Sequence, residues 1–185
     1  MKGAVSIVAN VVIVNVNNMK LKIKVREIIA GCNPEFIPKG DWVDLRAAET
    51  VKFEAPHYPP RGRKAIFDSK IVKLGVAMKL PKGYEAVVLP RSGLFKSHPV
   101  MVRNSQGVID NSYSGNNDEW GLPLIAFGDT TIDKGERVCQ FRIQLSQKAT
   151  MWQKIKWLLS SGIELVEVDD LGDNNRGGFG STGVR

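Results

Sequence analysis

The feature that most constrains the fold is a series of short apolar runs separated by turn residues. From Leu21 to Val25, apolar residues alternate with basic ones, which predicts a strand with one buried face. Proline, glycine, asparagine and aspartate separate this run from the later ones. Many short strands with turns between them predict an all-β barrel or sandwich. The other predicted strands are Ala65–Phe67, Ile71–Met78, Ala86–Leu89, Leu122–Ala126, Val138–Leu145 and Ile163–Val168.

One segment, Met151–Leu159, has helical rather than alternating spacing. Met151, Ile155 and Leu158 fall on one face, and Ser160-Ser161-Gly162 offers a stop. One interpretation is a short helix that lies on the barrel through this face. The other is a helix that docks a protein partner, because Trp157 points away from that face and is expected to be exposed.

The two ends of the chain differ from the middle. Residues 1–18 are apolar but interrupted by asparagines, too short and too polar for a membrane span, and without a signal-peptide cleavage site. An added strand and a translation start at Met19 are both open interpretations. Residues 169–185 are rich in glycine and polar residues, as is typical of a disordered tail, yet they include the aromatic Phe179. The predicted organisation is therefore an extension (1–18), a β-domain (19–168) with a helical insertion at about 150–160, and a Gly-rich tail (169–185).

Composition limits the classes of function. The 185 residues, 43% hydrophobic and 24% charged, suit one globular domain. The net charge of +7 suits a polyanionic partner such as nucleic acid or a nucleotide phosphate, but no block of five or six like charges occurs, so a solvated basic surface explains it equally. Cys32 and Cys139 form no CxxC pattern, which argues against a disulfide framework or zinc site and favours a reducing, cytoplasmic location.

Three short segments carry residues that suit phosphate chemistry. Pro90–Leu94 (PRSGL) combines a guanidinium, a hydroxyl and free backbone N–H groups, although a helix cap or turn would look the same. Gly177–Gly183 (GGFGSTG) offers glycines and hydroxyls but lacks the lysine of a Walker loop. Asp110 ends the apolar run of Asn104–Gly115 and could deprotonate a water, although a turn aspartate would fit there too.

Together with Gly40–Ala48 (GDWVDLRAA) and Gly135–Gln140 (GERVCQ), these segments resemble, in order, the five motifs of the trimeric dUTPase family. The resemblance extends from about Met19 to Thr182. It implies a jelly-roll-like β-barrel that forms a homotrimer, with active sites between chains and the tail of one chain closing over each site as a lid. The implied activity is hydrolysis of dUTP to dUMP and pyrophosphate with Mg²⁺, and neither a membrane nor nucleic acid is expected as a partner.

The resemblance also assigns roles. Asp110 corresponds to the general base, Gln140 lies near the attacking water, and Asp44 supports the metal through water. Tyr113 packs beneath the deoxyribose and excludes a 2′-hydroxyl, in a pocket where a β-hairpin offers backbone groups to uracil. Phe179 stacks on the uracil, while Ser181 and Thr182 hold the γ-phosphate. The substrate-binding residues implied are Arg91, Ser92, Gly93, Asn104, Gly107, Ile109, Tyr113, Arg176, Phe179, Gly180, Ser181 and Thr182.

The chain departs from the family pattern in two places. Arg176 stands two residues later than the usual arginine of the last motif, and Asn116-Asn117 follows Gly115 where an acidic residue is frequent. The alternative enzyme is a dCTP deaminase of the same fold superfamily, which the GVID segment and the GGFGSTG tail disfavour. A second alternative is a regulatory protein of this fold that acts through protein contacts, with the helix around Trp157 as its surface.

Overall fold

The computed structural model of the protein describes residues 19–60 and 64–178. The predicted extension 1–18 and the lid residues Phe179, Gly180, Ser181 and Thr182 lie outside these ranges. The described residues form thirteen strands and two short helices, which confirms the all-β prediction. The elements are β1 (Leu21–Glu27), β2 (Glu35–Phe36), β3 (Val43–Arg46), β4 (Val51–Phe53), β5 (Ser69–Lys73), β6 (Val76–Lys79), β7 (Tyr84–Pro90), α1 (Leu94–Ser97), β8 (Val100–Val102), β9 (Gly107–Asp110), β10 (Gly121–Ala126), β11 (Thr130–Ile132), β12 (Arg137–Leu145), α2 (Met151–Leu159) and β13 (Ile163–Glu167).

The strands form four sheets around one core. The largest has the order β2-β3-β12-β7-β9, and the smaller ones are β13-β1-β6, β5-β10-β8 and β11-β4. The β1–β13 pair is parallel, so the last strand lies beside the first. Trp120 and Phe141 pack edge to face in the core with their ring centroids 5.2 Å apart. Burying each of these rings contributes about 2–3 kcal/mol, so the core stabilises the framework that carries the site.

Strand β7 connects the parts of the candidate site, because it pairs with a neighbouring strand on each side. It pairs with β12 over its whole length and with β9 over Glu85–Val88. Val88 lies directly opposite Gly107, and a Cβ on Gly107 would stand 3.2 Å from the Val88 Cβ. A side chain at the start of β9 would therefore have to displace Val88 slightly, because the two strands approach closely there.

The predicted strand Ile71–Met78 is wrong as a single element. It is divided into β5 and β6, which belong to different sheets. Gly75 causes the break: its φ of +67° is unfavourable for other residues, and a Cβ there would lie 2.7 Å from the Cys32 Sγ. The predicted strand Ala65–Phe67 is reduced to one bridge, between Ile66 and His57.

The helix α2 lies on the barrel with a different face from the predicted one. Thr150 and Gln153 form a capping box at its start, so the sequence does specify a helix here. Trp157 is half-buried and packs on Tyr84 with ring centroids 5.7 Å apart, whereas Leu158 is 81% exposed. The prediction that Trp157 is exposed is therefore wrong, because the larger ring covers more of the barrel than the smaller side chains would.

Among the residues that the structure describes, no helix has the length and apolar character needed to cross a bilayer.

Candidate active site

A cleft of about 270 Å³ opens between β9, β10 and the C-terminal tail. This is close to the lower end of ligand-pocket volumes, about 300 Å³, and suits a nucleoside moiety. The floor is apolar, with polar groups at one side. Six of the predicted site residues line it: Asn104, Gly107, Ile109, Asp110, Tyr113 and Arg176.

Asp110 ends β9 at the rim of the cleft. Its Oδ1 accepts hydrogen bonds from the backbone N–H of Ser112, at 2.8 Å, and from the Ser112 hydroxyl. Its Oδ2 accepts from Arg176 Nη1 at 2.8 Å. Partial burial raises the pKa of Asp110, but the Ser112 hydrogen bonds and the Arg176 charge outweigh it, so the pKa lies below its ordinary value. The carboxylate is therefore ionised at neutral pH, as a general base must be.

Tyr113 forms one wall of the cleft. Its hydroxyl donates to the Glu119 carbonyl at 2.8 Å, which fixes the orientation of the ring. Burial, together with the negative charges of Asp118 and Glu119, raises the pKa of Tyr113, so the phenol stays neutral. The tail lies against this ring, because a Cβ on Gly178 would stand 2.9 Å from the Tyr113 hydroxyl oxygen.

Asn104 lies in the turn that joins β8 to β9 and is exposed at the mouth of the cleft. The next residue, Ser105, has a φ of 63°, in the left-handed region. The family hairpin is not reproduced in the described residues, because β8 pairs with β10 whereas β9 pairs with β7. The turn instead connects two sheets.

The C-terminal tail reaches the cleft by way of Asp118, a residue that the sequence analysis did not assign. Asp118 is 1% exposed, and its carboxylate accepts from the backbone N–H groups of Arg176 and Gly177 at 2.9–3.0 Å. The signal in the sequence was the departure at Asn116-Asn117, which stand where the family often has an acidic residue after the glycine.

A second group of predicted residues lies at the other end of β7. Asp44 is 3% exposed and lies between two guanidinium groups, with its Oδ2 at 3.2 Å from Arg91 Nε and 3.4 Å from Arg137 Nη1. Burial raises the pKa of Asp44, and the two arginines offset only part of that rise. Arg137 belongs to the GERVCQ motif but was not assigned a role from the sequence.

Gln140 and the PRSG turn complete this second group. Gln140 lies directly opposite Asp44 across the β3–β12 pair, so the two side chains are neighbours on one face of the sheet. Arg91 donates its backbone N–H to the Val138 carbonyl at 3.2 Å. Ser92 and Gly93 are exposed in the turn that follows, immediately before α1, so their hydroxyl and backbone donors are open to a ligand.

The two groups are separated within one chain. Asp110 pairs with Glu85 near the start of β7, whereas Arg91 follows Pro90 at its end. At roughly 3.3 Å per residue, this places their backbones about 20 Å apart along the strand. A base must lie within hydrogen-bond reach of the water that it activates, so this distance separates Asp110 from the phosphate-binding turn of its own chain.

The described residues do not form a protein cage for a metal ion. They contain no group of three or more His, Cys, Asp or Glu side chains that could hold one. The Oδ2 atom of Asp44 faces Arg91 and Arg137. Mg²⁺ usually keeps several waters and needs few protein ligands, so a magnesium ion does not require such a cage.

Comparison with known proteins agrees with this geometry. The dUTPase family model matches residues 63–183. The chain is 46% identical over 147 residues to the SPbeta prophage-derived deoxyuridine 5′-triphosphate nucleotidohydrolase YosS of Bacillus subtilis (strain 168), covering 80% of this chain and 87% of that protein. It is 33% identical over 168 residues to the deoxyuridine 5′-triphosphate nucleotidohydrolase of Helicobacter pylori (strain P12), covering 89% of this chain and 98% of that protein.

Solved structures show the same fold at lower identity. The dUTPase of Streptococcus mutans aligns with a TM-score of 0.54 at 20% identity, over 65% of this chain and 90% of that one. A dUTPase from phage phi11 of S. aureus, described with a structural Mg(II) ion, aligns with a TM-score of 0.55 at 18% identity, over 70% of this chain and 94% of that one. The order of the motifs, the cleft at Asp110 and these matches together show that the chain belongs to the dUTPase family.

Proposed function

We propose that the protein hydrolyses dUTP to dUMP and pyrophosphate, with Asp110 as the general base. The observation that carries this proposal is the cleft itself. One chain brings an ionised carboxylate, a fixed tyrosine ring and the start of the Gly-rich tail to a cavity of nucleoside size. These are the groups that a deoxyuridine-specific hydrolase requires.

The walls of the cleft account for the proposed selectivity. The Tyr113 ring is fixed through its hydrogen bond to Glu119, so it cannot move aside for a ribose 2′-hydroxyl. Asn104 and the backbone of the β8–β9 turn would present donors and acceptors to the uracil edge. A cytosine has the inverted hydrogen-bond pattern, so binding it would leave buried polar groups without partners.

The proposed chemical step is an in-line displacement. Asp110 orients a water molecule and takes one of its protons as the water oxygen forms a bond to the α-phosphorus. The bond between the α-phosphorus and the oxygen that leads to the β-phosphorus breaks, and pyrophosphate leaves with that electron pair. Gln140, which lies beside Asp44, would orient the water or a phosphate oxygen from the other side.

The phosphate end of the site consists of Arg91, Ser92, Gly93 and, in our interpretation, Arg137. Buried Asp44 holds both guanidinium groups in place, which prepares them to contact phosphate oxygens. Magnesium bound to the triphosphate would supply neutralisation of the charge that develops on the leaving group. The assignment of Asp44 to the metal through water stays a prediction, as do the roles of Phe179, Ser181 and Thr182.

The distance along β7 leads us to propose that each site combines two chains. The base cleft of one chain would meet the PRSG turn of a neighbour, since the turn of the same chain is about 20 Å away. Closed cyclic symmetry would repeat this contact around a homotrimer. We place this assembly in the cytosol, because Cys32 and Cys139 are both free and buried.

The proposed activity is tested by product analysis on four nucleotides. The purified protein with Mg²⁺ is expected to release pyrophosphate from dUTP, with kcat/KM at least about 100-fold lower for dTTP, dCTP and UTP. Release of ammonia from dCTP would instead identify a deaminase. Failure to release pyrophosphate from dUTP under any metal condition would contradict the proposal.

If α2 binds a protein partner, exposed residues other than Trp157 would make the contact. The exposed apolar side chains of α2 include Met151, Trp152 and Leu158. The stability of two variants tests this orientation of α2 on the barrel. W157A is expected to lower the free energy of unfolding by about 1–3 kcal/mol, because it empties a packed contact. W152A is expected to change it by less than about 0.5 kcal/mol. Comparable losses in both variants would contradict this orientation of α2.

A further inference from the structure

The loop Ser114–Asp118, hereafter the anchor loop, makes hydrogen bonds to the C-terminal tail at several positions between Asp170 and Gly177. Asn116 accepts from the Leu171 N–H at 2.9 Å and donates to the Asp170 carboxylate at 2.8 Å. This is the loop that departs from the family pattern, and the catalytic roles above leave it unexplained.

The anchor loop also makes hydrogen bonds to the tail beyond Leu171. Ser114 donates to the Asp173 carboxylate, and the Asn117 N–H donates to the Asn175 side chain, each at 2.8 Å. Asn175 lies directly over Gly115, where a Cβ would overlap both its backbone and its side chain. The tail and the anchor loop are therefore complementary in shape as well as in hydrogen bonding.

Asp118 is the most buried carboxylate of this contact, with 1% of its surface exposed. Its carboxylate accepts from the Gly115 N–H at 2.9 Å and from the N–H groups of Arg176 and Gly177 at 2.9–3.0 Å. Each of these donors belongs to the backbone, so the carboxylate fixes the path of the chain rather than a mobile side chain. A buried carboxylate with several such donors remains ionised and binds them strongly.

This hydrogen-bond network lies beside the proposed base. Arg176 and Gly177 are the residues at which the tail enters the cleft, with Arg176 on Asp110 and Gly178 against Tyr113. We propose that Asp118 is a positioning residue for the reaction: it fixes the backbone of Arg176 and Gly177, and through it holds the Arg176 guanidinium on Asp110. This inference rests on the proposed function, in which Asp110 is the base.

The direct test measures the tail and the reaction in the same variant. In Asp118→Asn, one of the oxygens that accept from Arg176 and Gly177 is replaced by an amide that donates. We expect amide hydrogen exchange at residues 176 and 177 to become at least about tenfold faster, while β7 and β12 stay protected. We also expect kcat/KM for dUTP to fall about 10–100-fold, with part of the loss in KM.

A matched control and a second variant make the outcome decisive. Asp129 also accepts a backbone N–H, that of Ala55 at 2.8 Å, but it is exposed and outside the anchor loop; Asp129→Asn is expected to leave both measurements unchanged. If Asp118→Asn unfolds the barrel, Gly115→Ala displaces Asn175 without removing a charge and should give the same faster exchange and the same loss.

The possible outcomes separate this inference from the proposed function. Unchanged exchange at 176 and 177, or unchanged kcat/KM, in a folded Asp118→Asn or Gly115→Ala variant would overturn the role of Asp118. Because exchange is measured without nucleotide, it reports on the anchor even if the wild-type protein failed to hydrolyse dUTP. That second failure would contradict the proposed function alone.

Discussion

The two ends of strand β7 carry two halves of the site that differ in how complete they are. At the Glu85 end, one chain assembles a cleft with Asp110, Tyr113 and the anchored tail. At the Pro90 end, Arg91 and Arg137 are held by Asp44 on an open surface. The first half can surround a nucleoside, whereas the second presents cations without a wall. We therefore propose that a nucleotide needs both halves, and that the length of β7 keeps one chain from offering both to the same molecule.

The largest loss of activity is expected from Asp110→Asn, which removes the proposed base. The amide cannot accept a proton from water, so kcat is expected to fall about 10²- to 10⁴-fold. Binding of a non-hydrolysable α,β-imido analogue of dUTP, measured by calorimetry, should be retained. Near-normal turnover in this variant would mean that another group acts as the base.

Removal of residues 176–185 tests the contribution of the lid to the same half. Turnover is expected to fall at least about 100-fold, because the site would stay open to water and lose Arg176. The barrel should stay folded, since residues 170–175 would still contact the anchor loop, but its midpoint of thermal unfolding should fall somewhat because Asp118 loses the Arg176 and Gly177 donors. A truncated protein with unchanged kcat/KM would show that the tail has no part in the reaction.

The phosphate half is tested by Arg91→Ala. Loss of a charge-assisted contact to a phosphate is expected to raise KM for dUTP about 10–100-fold. Arg142→Ala is a suitable control, because Arg142 is an exposed arginine whose guanidinium lies 5.2 Å from the centre of the Trp42 ring, outside both the PRSG turn and the cleft. An effect of equal size in the control would indicate a general dependence on surface charge.

The smallest expected effect is a shift in pH dependence. The base must be deprotonated, so activity is present above the pKa of Asp110 and lost as the pH falls through it. Because the pKa of Asp110 is below its usual value, the acid limb of kcat/KM in the wild type should lie below the range of an ordinary aspartate. Arg176→Ala removes a lowering contribution, so its limb should move to higher pH. A limb that stays in place would show that Arg176 does not contact the base in solution.

The sequence predicted the long, regular parts of the fold and failed where distant residues decide the outcome. Strands β1, β10 and β12 follow apolar patterns of six to nine residues and were predicted. Strands such as β2 and β11 have only two or three residues, and their partners β3 and β4 define them. Periodicity also could not select the buried face of α2, because apolar residues surround most of that helix.

The site was predicted unevenly for a similar reason. Asp110 and Tyr113 were found because the motif places them in a fixed order, and the structure brings them into one cleft. Asp118 was missed because its role depends on backbone donors more than fifty residues away, which no local pattern encodes. The sequence analysis placed Arg176 two residues later than the usual arginine of the last motif. In the structure, its guanidinium donates to the carboxylate of Asp110.

The central claim is that the two halves meet between chains, and complementation tests it most directly. Chains with Asp110→Asn and chains with Arg91→Ala would be co-expressed with two different tags and purified through both. In a cyclic trimer of mixed chains, one interface joins an intact Asp110 to an intact Arg91, so about one third of the wild-type kcat/KM per trimer is expected, measured at dUTP concentrations well below KM. If the mixed trimers were no more active than the parent variants, each chain would use its own Arg91, and the account would be contradicted.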